Sequence, residues 1–176
     1  METTPLRRRL VSWWWDYLVV IAWLLAVFVV VGVPTLLRVV DLRWLWSRPA
    51  SADVTSAALT VVPYLVYLIG TEAGSTHATL GKRRAGLTVA AAGGRPPALR
   101  QIVVRNFVKV LPWQLGHMAA FRLATVDRPS AAAVAFDALA IVLLVAVAGP
   151  PLARRRGLHD VVAGTMVHIR SPRRGV

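Results

Sequence analysis

The chain contains no cysteine, which excludes disulfides, thiol redox chemistry and cysteine-ligated metal sites. Acidic residues are scarce, eight against 21 lysines and arginines, for a formal net charge of +13. Charged residues of both signs make up only 16% of the 176, while 56% are apolar. A soluble domain carries roughly 25% charge, so this chain has too little polar surface to solvate an ordinary globular fold. A bilayer is the expected solvent.

Catalytic and cofactor signatures are also missing. The four histidines, His77, His117, His159 and His168, include no pair at i, i+4, so no metal site is expected. No Gly-x-Ser-x-Gly elbow or paired catalytic carboxylates occur. Gly74 to Lys82 fails as a phosphate loop, because six residues separate its glycines and Arg83 stands where a magnesium-binding hydroxyl is required. Neither an enzyme nor a cofactor is expected. The cations flank apolar runs without the aromatic interleaving of an RNA-binding surface, which argues against nucleic acid. Nineteen of them are arginine, a bias that a GC-rich coding sequence accounts for.

What is present is long apolar runs. Leu10 to Val33 carries one charge, Ala57 to Gly70 none, and Ala131 to Gly149 one. The first and last reach or approach the roughly 20 residues a bilayer needs. The second is shorter and contains Pro63, tolerated in membrane helices because a neighbouring helix can satisfy the freed carbonyl. The first run follows three arginines as a signal peptide would, and Arg8-Arg9 resembles a twin-arginine signal. It is far longer than a signal's apolar region and has no small-residue cleavage site, so an uncleaved helix is expected.

Lysine and arginine mark the cytoplasmic side. Residues 1 to 9 hold three, the loop from Ser75 to Arg100 holds Lys82, Arg83, Arg84, Arg95 and Arg100, and the tail holds Arg154, Arg155, Arg156, Arg170, Arg173 and Arg174. All three segments belong inside, which three crossings cannot achieve. A fourth is needed, and residues 101–121 are the candidate. Gln101, Arg105 and Lys109 recur at i, i+4 on one helical face, and the stretch turns apolar from Val110 to Phe121, interrupted by Pro112 and His117. The expectation is a helix that lies along the cytoplasmic surface and then enters the bilayer; a purely interfacial helix with three crossings is the rival. The fold class is thus an all-α polytopic membrane protein of about four segments (10–33, 57–73, 101–121, 131–149), with a cytoplasmic loop (75–100) and tail (152–176). Leu87-Thr-Val89 and Thr165-Met-Val-His-Ile169 have strand-like residues and could pair as a small ribbon.

Three patches carry a resemblance: Arg9-Leu-Val-Ser-Trp-Trp-Trp-Asp16; Ala78-Thr-Leu-Gly-Lys-Arg-Arg-Ala-Gly-Leu-Thr-Val89 followed by Arg105-Asn106; and Arg155-Arg-Gly-Leu-His-Asp-Val-Val-Ala-Gly-Thr-Met-Val167. Together they resemble the prokaryotic RDD family over nearly the whole chain, with Arg9, Asp16 and Asp160 matching the arginine and two aspartates that name it. The chain departs from the pattern in its Trp13 to Trp15 cluster and in the break at Pro112 and Val126-Asp-Arg-Pro129. The resemblance implies a multi-pass protein of a prokaryotic inner membrane, with sodium/proton antiport the activity proposed for some members.

Seven helical residues rotate about 700°, so Arg9 and Asp16 share a face roughly 10.5 Å apart along the axis and cannot touch. A carboxylate two turns into a membrane needs a partner. The expectation is that Asp160 approaches Arg9 while Arg105 serves Asp16, forming one cluster that is either an ion-coupling site for Na+ and H+ or a structural contact. Glu72 and His159 are further candidate partners. Glu72 reads first as interfacial, and Asp137 as a helix-end or polar contact rather than part of an ion pathway. Lys82, Arg83 and Arg84 read as topology determinants and binders of anionic headgroups. A transporting protein this short, with no internal repeat, would need to be a homo-oligomer; the alternative is a non-transporting accessory that docks membrane partners.

Overall fold

A computed structural model describes residues 4–124, 130–153 and 156–170. Helix α1 runs Leu6–Leu36, α2 Pro49–Ala73, and a short α3 Leu80–Arg84 leads into strand β1, Leu87–Ala91. Helix α4, Leu99–Ala124, and α5, Ala131–Leu152, form a hairpin, followed by the short α6, Leu158–Ala163, and strand β2, Thr165–Ile169. Three helices, α1, α2 and α5, are long and apolar enough to cross a membrane. Val126 to Pro129, Arg154, Arg155, Arg173 and Arg174, on which the sequence raised expectations, lie outside the described residues.

Prolines shape the first two helices. A proline has no N–H for the carbonyl four residues back and its ring crowds that carbonyl, so the preceding turn widens. Wide π-turns occur at Phe28–Gly32 before Pro34 and at Ala57–Val61 before Pro63. In α2 the carbonyl released by Pro63 is that of Leu59. It accepts a hydrogen bond at 2.7 Å from Trp23 Nε1 of α1, the satisfaction by a neighbouring helix that Pro63 demands. Helix α2 also starts earlier than its apolar run suggests, at Pro49, because Asp53 is neutralised by Arg122 of α4 through Nη1 at 2.8 Å and Nη2 at 2.7 Å.

Helices α2 and α4 run antiparallel. Arg122 meets Asp53 at one end, and Arg105 meets Glu72 at the other. The intervening 17 to 19 residues correspond to about 26–29 Å of helix. Between these ends Leu68, Val61 and Val110 form a small core with Tyr64, Leu65 and Tyr67 packed against it. Buried alanines at 119, 133 and 140 let α4 and α5 approach closely. The α4 helix is unbroken through Pro112. Its polar stripe does not lie on a water-facing surface as expected: Gln101 donates to the carbonyls of Ala163 and Gly164 at 3.1 and 3.2 Å, and Arg105 is buried.

The expected ribbon is present, so the fold is not purely α. β1 and β2 pair antiparallel from Leu87 opposite Ile169 to Ala91 opposite Thr165. Leu87 and Val89 point into the protein, and Thr4 Oγ1 donates to Val167 O at 2.9 Å, so the segment leading into α1 is tied to the same ribbon. Gly164 joins α6 to β2 with φ +63°, a left-handed turn that favours glycine.

Candidate functional site

Glu72 ends the last turns of α2, wholly buried, and organises a charge cluster at one end of the helices. Lys82 Nζ lies 2.7 Å from its Oε1; Asn106 Nδ2 donates to Oε2 at 2.9 Å, and Arg105 Nε stands 3.3 Å from the same oxygen. Arg105 turns its Nη1 to Asp160 Oδ1, and Thr165 Oγ1 bridges the two at 3.1 Å from each. His159 Nε2 lies 3.3 Å from Asp160 Oδ2. Arg156 ties down the same turn from outside, donating to the carbonyls of Asp160 at 2.8 Å and Thr165 at 3.0 Å.

Asp16 sits beside this group but is held by neutral donors. Tyr67 OH donates to Oδ1 at 3.1 Å, Thr79 Oγ1 to Oδ2 at 2.7 Å, and the Gly81 amide to Oδ1 at 2.9 Å. Thr79 also caps α3, accepting from the Lys82 amide at 3.2 Å. The close approach of α3 to α1 requires glycine at 81, since a Cβ there would lie 2.0 Å from Ser12 O and 2.7 Å from Asp16 Cγ.

The cluster therefore forms, but not with the expected pairings. Asp160 pairs with Arg105 rather than Arg9, and Asp16 has no cation in contact. The reason is reach: Arg105 enters from α4 between α2 and α6, where both Glu72 and Asp160 meet it, while Arg9 remains at the rim, half-buried and without an ion-pair partner among the described residues. Glu72 is central rather than interfacial. Lys82 is not a headgroup ligand, because its ammonium is turned inward onto Glu72; Arg83 and Arg84 are exposed, and Arg84 stacks over Trp15 at 4.9 Å. Asp137 is exposed on α5, away from the cluster and unpaired among the described residues. Thr79, Asn106, Thr165 and Tyr67 are further members of the cluster that residue types alone did not single out, although the first three lie inside the three patches quoted above.

Electrostatically the cluster is a desolvated, cation-rich place. Burial pushes the Lys82 ammonium below its ordinary value against the pull of Glu72. Burial, followed by the fields of Arg105, Lys109 and Lys82, brings His159 down to about 2, so its imidazole is neutral despite the nearby Asp160.

A cavity of about 610 Å³ opens from this cluster. Arg9, Asp16, Lys82, Arg105, Lys109 and Asp160 line its polar end, and the apolar remainder runs between α1, α2, α4 and α5.

The sequence model of the RDD family matches residues 3–164, nearly the whole chain. The chain belongs to the RDD family. RDD proteins are membrane proteins, in keeping with the three apolar helices. No curated protein and no solved structure matches this RDD chain.

Proposed function

We propose that this RDD protein is a four-crossing, non-enzymatic scaffold of a prokaryotic inner membrane, with both termini cytoplasmic, and that its charge cluster is a structural latch rather than a sodium/proton exchange site. The fourth crossing is α4. Its ion pairs at both ends with α2 hold it alongside a spanning helix over a length close to the roughly 30 Å hydrocarbon core, which supports a transmembrane rather than interfacial course. Four crossings also return the basic N-terminus, middle loop and tail to one side, as the charge rule demands.

The saturation of the carboxylates carries the latch reading. Both oxygens of Asp16 and both of Glu72 accept from hydroxyl, amide or cationic donors, and Asp160 faces Arg105, Thr165 and His159. Sodium needs oxygen lone pairs directed at it, whereas this site presents N–H and O–H groups to its own acids. The latch joins five stretches of chain, α1, α2, α3, α4 and α6, into one rigid cytoplasmic end that membrane partners or a second copy can dock against.

Proteoliposomes test this directly. The protein is expected to give no sodium-dependent proton movement, and Asp16→Asn to lower membrane abundance and thermal stability. Sodium-dependent proton flux in the wild type, lost in Asp16→Asn at unchanged abundance, would establish the antiporter reading instead.

A further inference from the structure

We infer that the cavity between α1, α2, α4 and α5 is a binding site for an anionic phospholipid, whose phosphate is held by Arg9 and Lys109 and whose acyl chain lies along the apolar walls.

The charge balance comes first. Four cationic side chains, Arg9, Lys82, Arg105 and Lys109, face three carboxylates, Asp16, Glu72 and Asp160, which leaves one positive charge in excess. The excess is localised. Lys82 and Arg105 are consumed by Glu72 and Asp160, and Asp16 is satisfied by neutral donors. Arg9 and Lys109 remain without an ion pair among the described residues, both lining the cavity, and Arg9 Nε is buried with no hydrogen-bond partner. A net positive charge drawn out of water is costly, and one bound anion removes that cost.

Shape supplies the second constraint. Along α1 the lining runs from Arg9 to Leu24, about 22 Å of helix, so charge sits at one end only. The apolar walls include Val20, Trp23, Leu24, Val61 and Leu144. A cation pair at headgroup depth beneath an apolar slot matches an amphiphile and gives a free inorganic anion no use for the slot. Access is lateral: α1 meets the rest of the protein mainly through α3, leaving a seam along its membrane portion, and the surrounding leaflet supplies acidic lipid.

Native mass spectrometry of the full chain, released from mixed vesicles of phosphatidylglycerol and phosphatidylcholine, tests the inference. One phosphatidylglycerol per chain is expected to survive delipidation. Lys109→Gln, which breaks no ion pair, is expected to weaken its retention about ten- to a hundredfold, the worth of one hydrogen bond to a charged group. Leu144→Trp, which fills the slot without touching a charge, should also lose the lipid, while the exposed Arg83→Gln should keep it. Inorganic phosphate should not substitute: thermal stabilisation by phosphate equal to that by phosphatidylglycerol would mean a free-anion site and overturn the inference. Equal retention of the two lipids, or unchanged retention in both Lys109→Gln and Leu144→Trp, would overturn it as well. A sodium-dependent proton flux would refute the latch and leave these lipid results standing, so the two failures are distinguishable.

Discussion

Substituting alanine for Gly81 tests how α1 is held to the rest of the protein. Alanine favours a helix over glycine by about 1 kcal/mol, so local propensity alone predicts a slight gain in α3. The contact predicts the opposite. The new Cβ would sit 2.0 Å from the backbone oxygen of Ser12 and 2.8 Å from Asp16 Oδ1, whereas carbon and oxygen normally stay about 3.3 Å apart. Ser12 O cannot rotate aside, so α3 must retreat from α1 by more than about 1 Å, stretching the 2.9 Å bond from the Gly81 amide to Asp16. Overpacking costs about 1–3 kcal/mol. A hydrogen bond to a charged group adds about 1.5–3 kcal/mol, for a total of about 2.5–6 kcal/mol against a typical stability of 5–15 kcal/mol. Membrane abundance and the thermal midpoint in detergent, read by size-exclusion chromatography, should both fall sharply. Gly70→Ala is the control, since its Cβ would meet nothing within 4 Å and should cost nothing. A Gly81→Ala protein with the wild-type midpoint and abundance would refute the reasoning.

Two further outcomes follow from the geometry. Trp23→Phe removes the donor to Leu59 O and should cost about 0.5–1.5 kcal/mol of thermal stability, a cost that should vanish in a Pro63→Ala background where the helix regains its own N–H; an equal cost in both backgrounds would show that the hydrogen bond is not the cause. Acid should weaken the fold through His159: its folded value of about 2 lies below the ordinary 6.5, so the unfolded chain binds the extra proton between these values and stability falls as pH drops below 6.5. Arg105, Lys109, Lys82, Glu72 and Asp160 all act on this imidazole, and the loss at pH 5 should be about 2 kcal/mol. Melting scans at pH 7.5 and 5 should show a drop that His159→Gln reduces.

The helices were legible where physics leaves little choice. The Leu10 to Val33 run has one charge and no alternative to lipid, and Pro63 demanded a donor from another helix. Strand-forming residues in Leu87 to Val89 and Thr165 to Ile169 pointed to a ribbon, and the two strands, nearly 80 residues apart, do pair. The polar stripe of Gln101, Arg105 and Lys109 was read onto the wrong surroundings, because i, i+4 spacing reports a shared face and not whether water or protein covers it. Glu72 was undervalued for a related reason: a carboxylate at the end of an apolar run looks interfacial until Lys82, Arg105 and Asn106 are seen to converge on it. That Arg105 reaches Asp160 and leaves Asp16 to neutral donors depends on how far each helix end projects, a tertiary quantity that spacing within α1 does not contain.

Arg105 and its partner Asp160 are separated by 55 residues of chain. At synthesis rates of about 5–20 residues per second, roughly 3–11 s pass between the appearance of the guanidinium and that of its second carboxylate. During that interval Glu72 alone, already shared with Lys82, must neutralise it. The clamp thus closes only after the α4–α5 hairpin has been synthesised, and until Asp160 emerges the nascent bundle carries a guanidinium that lacks its second carboxylate.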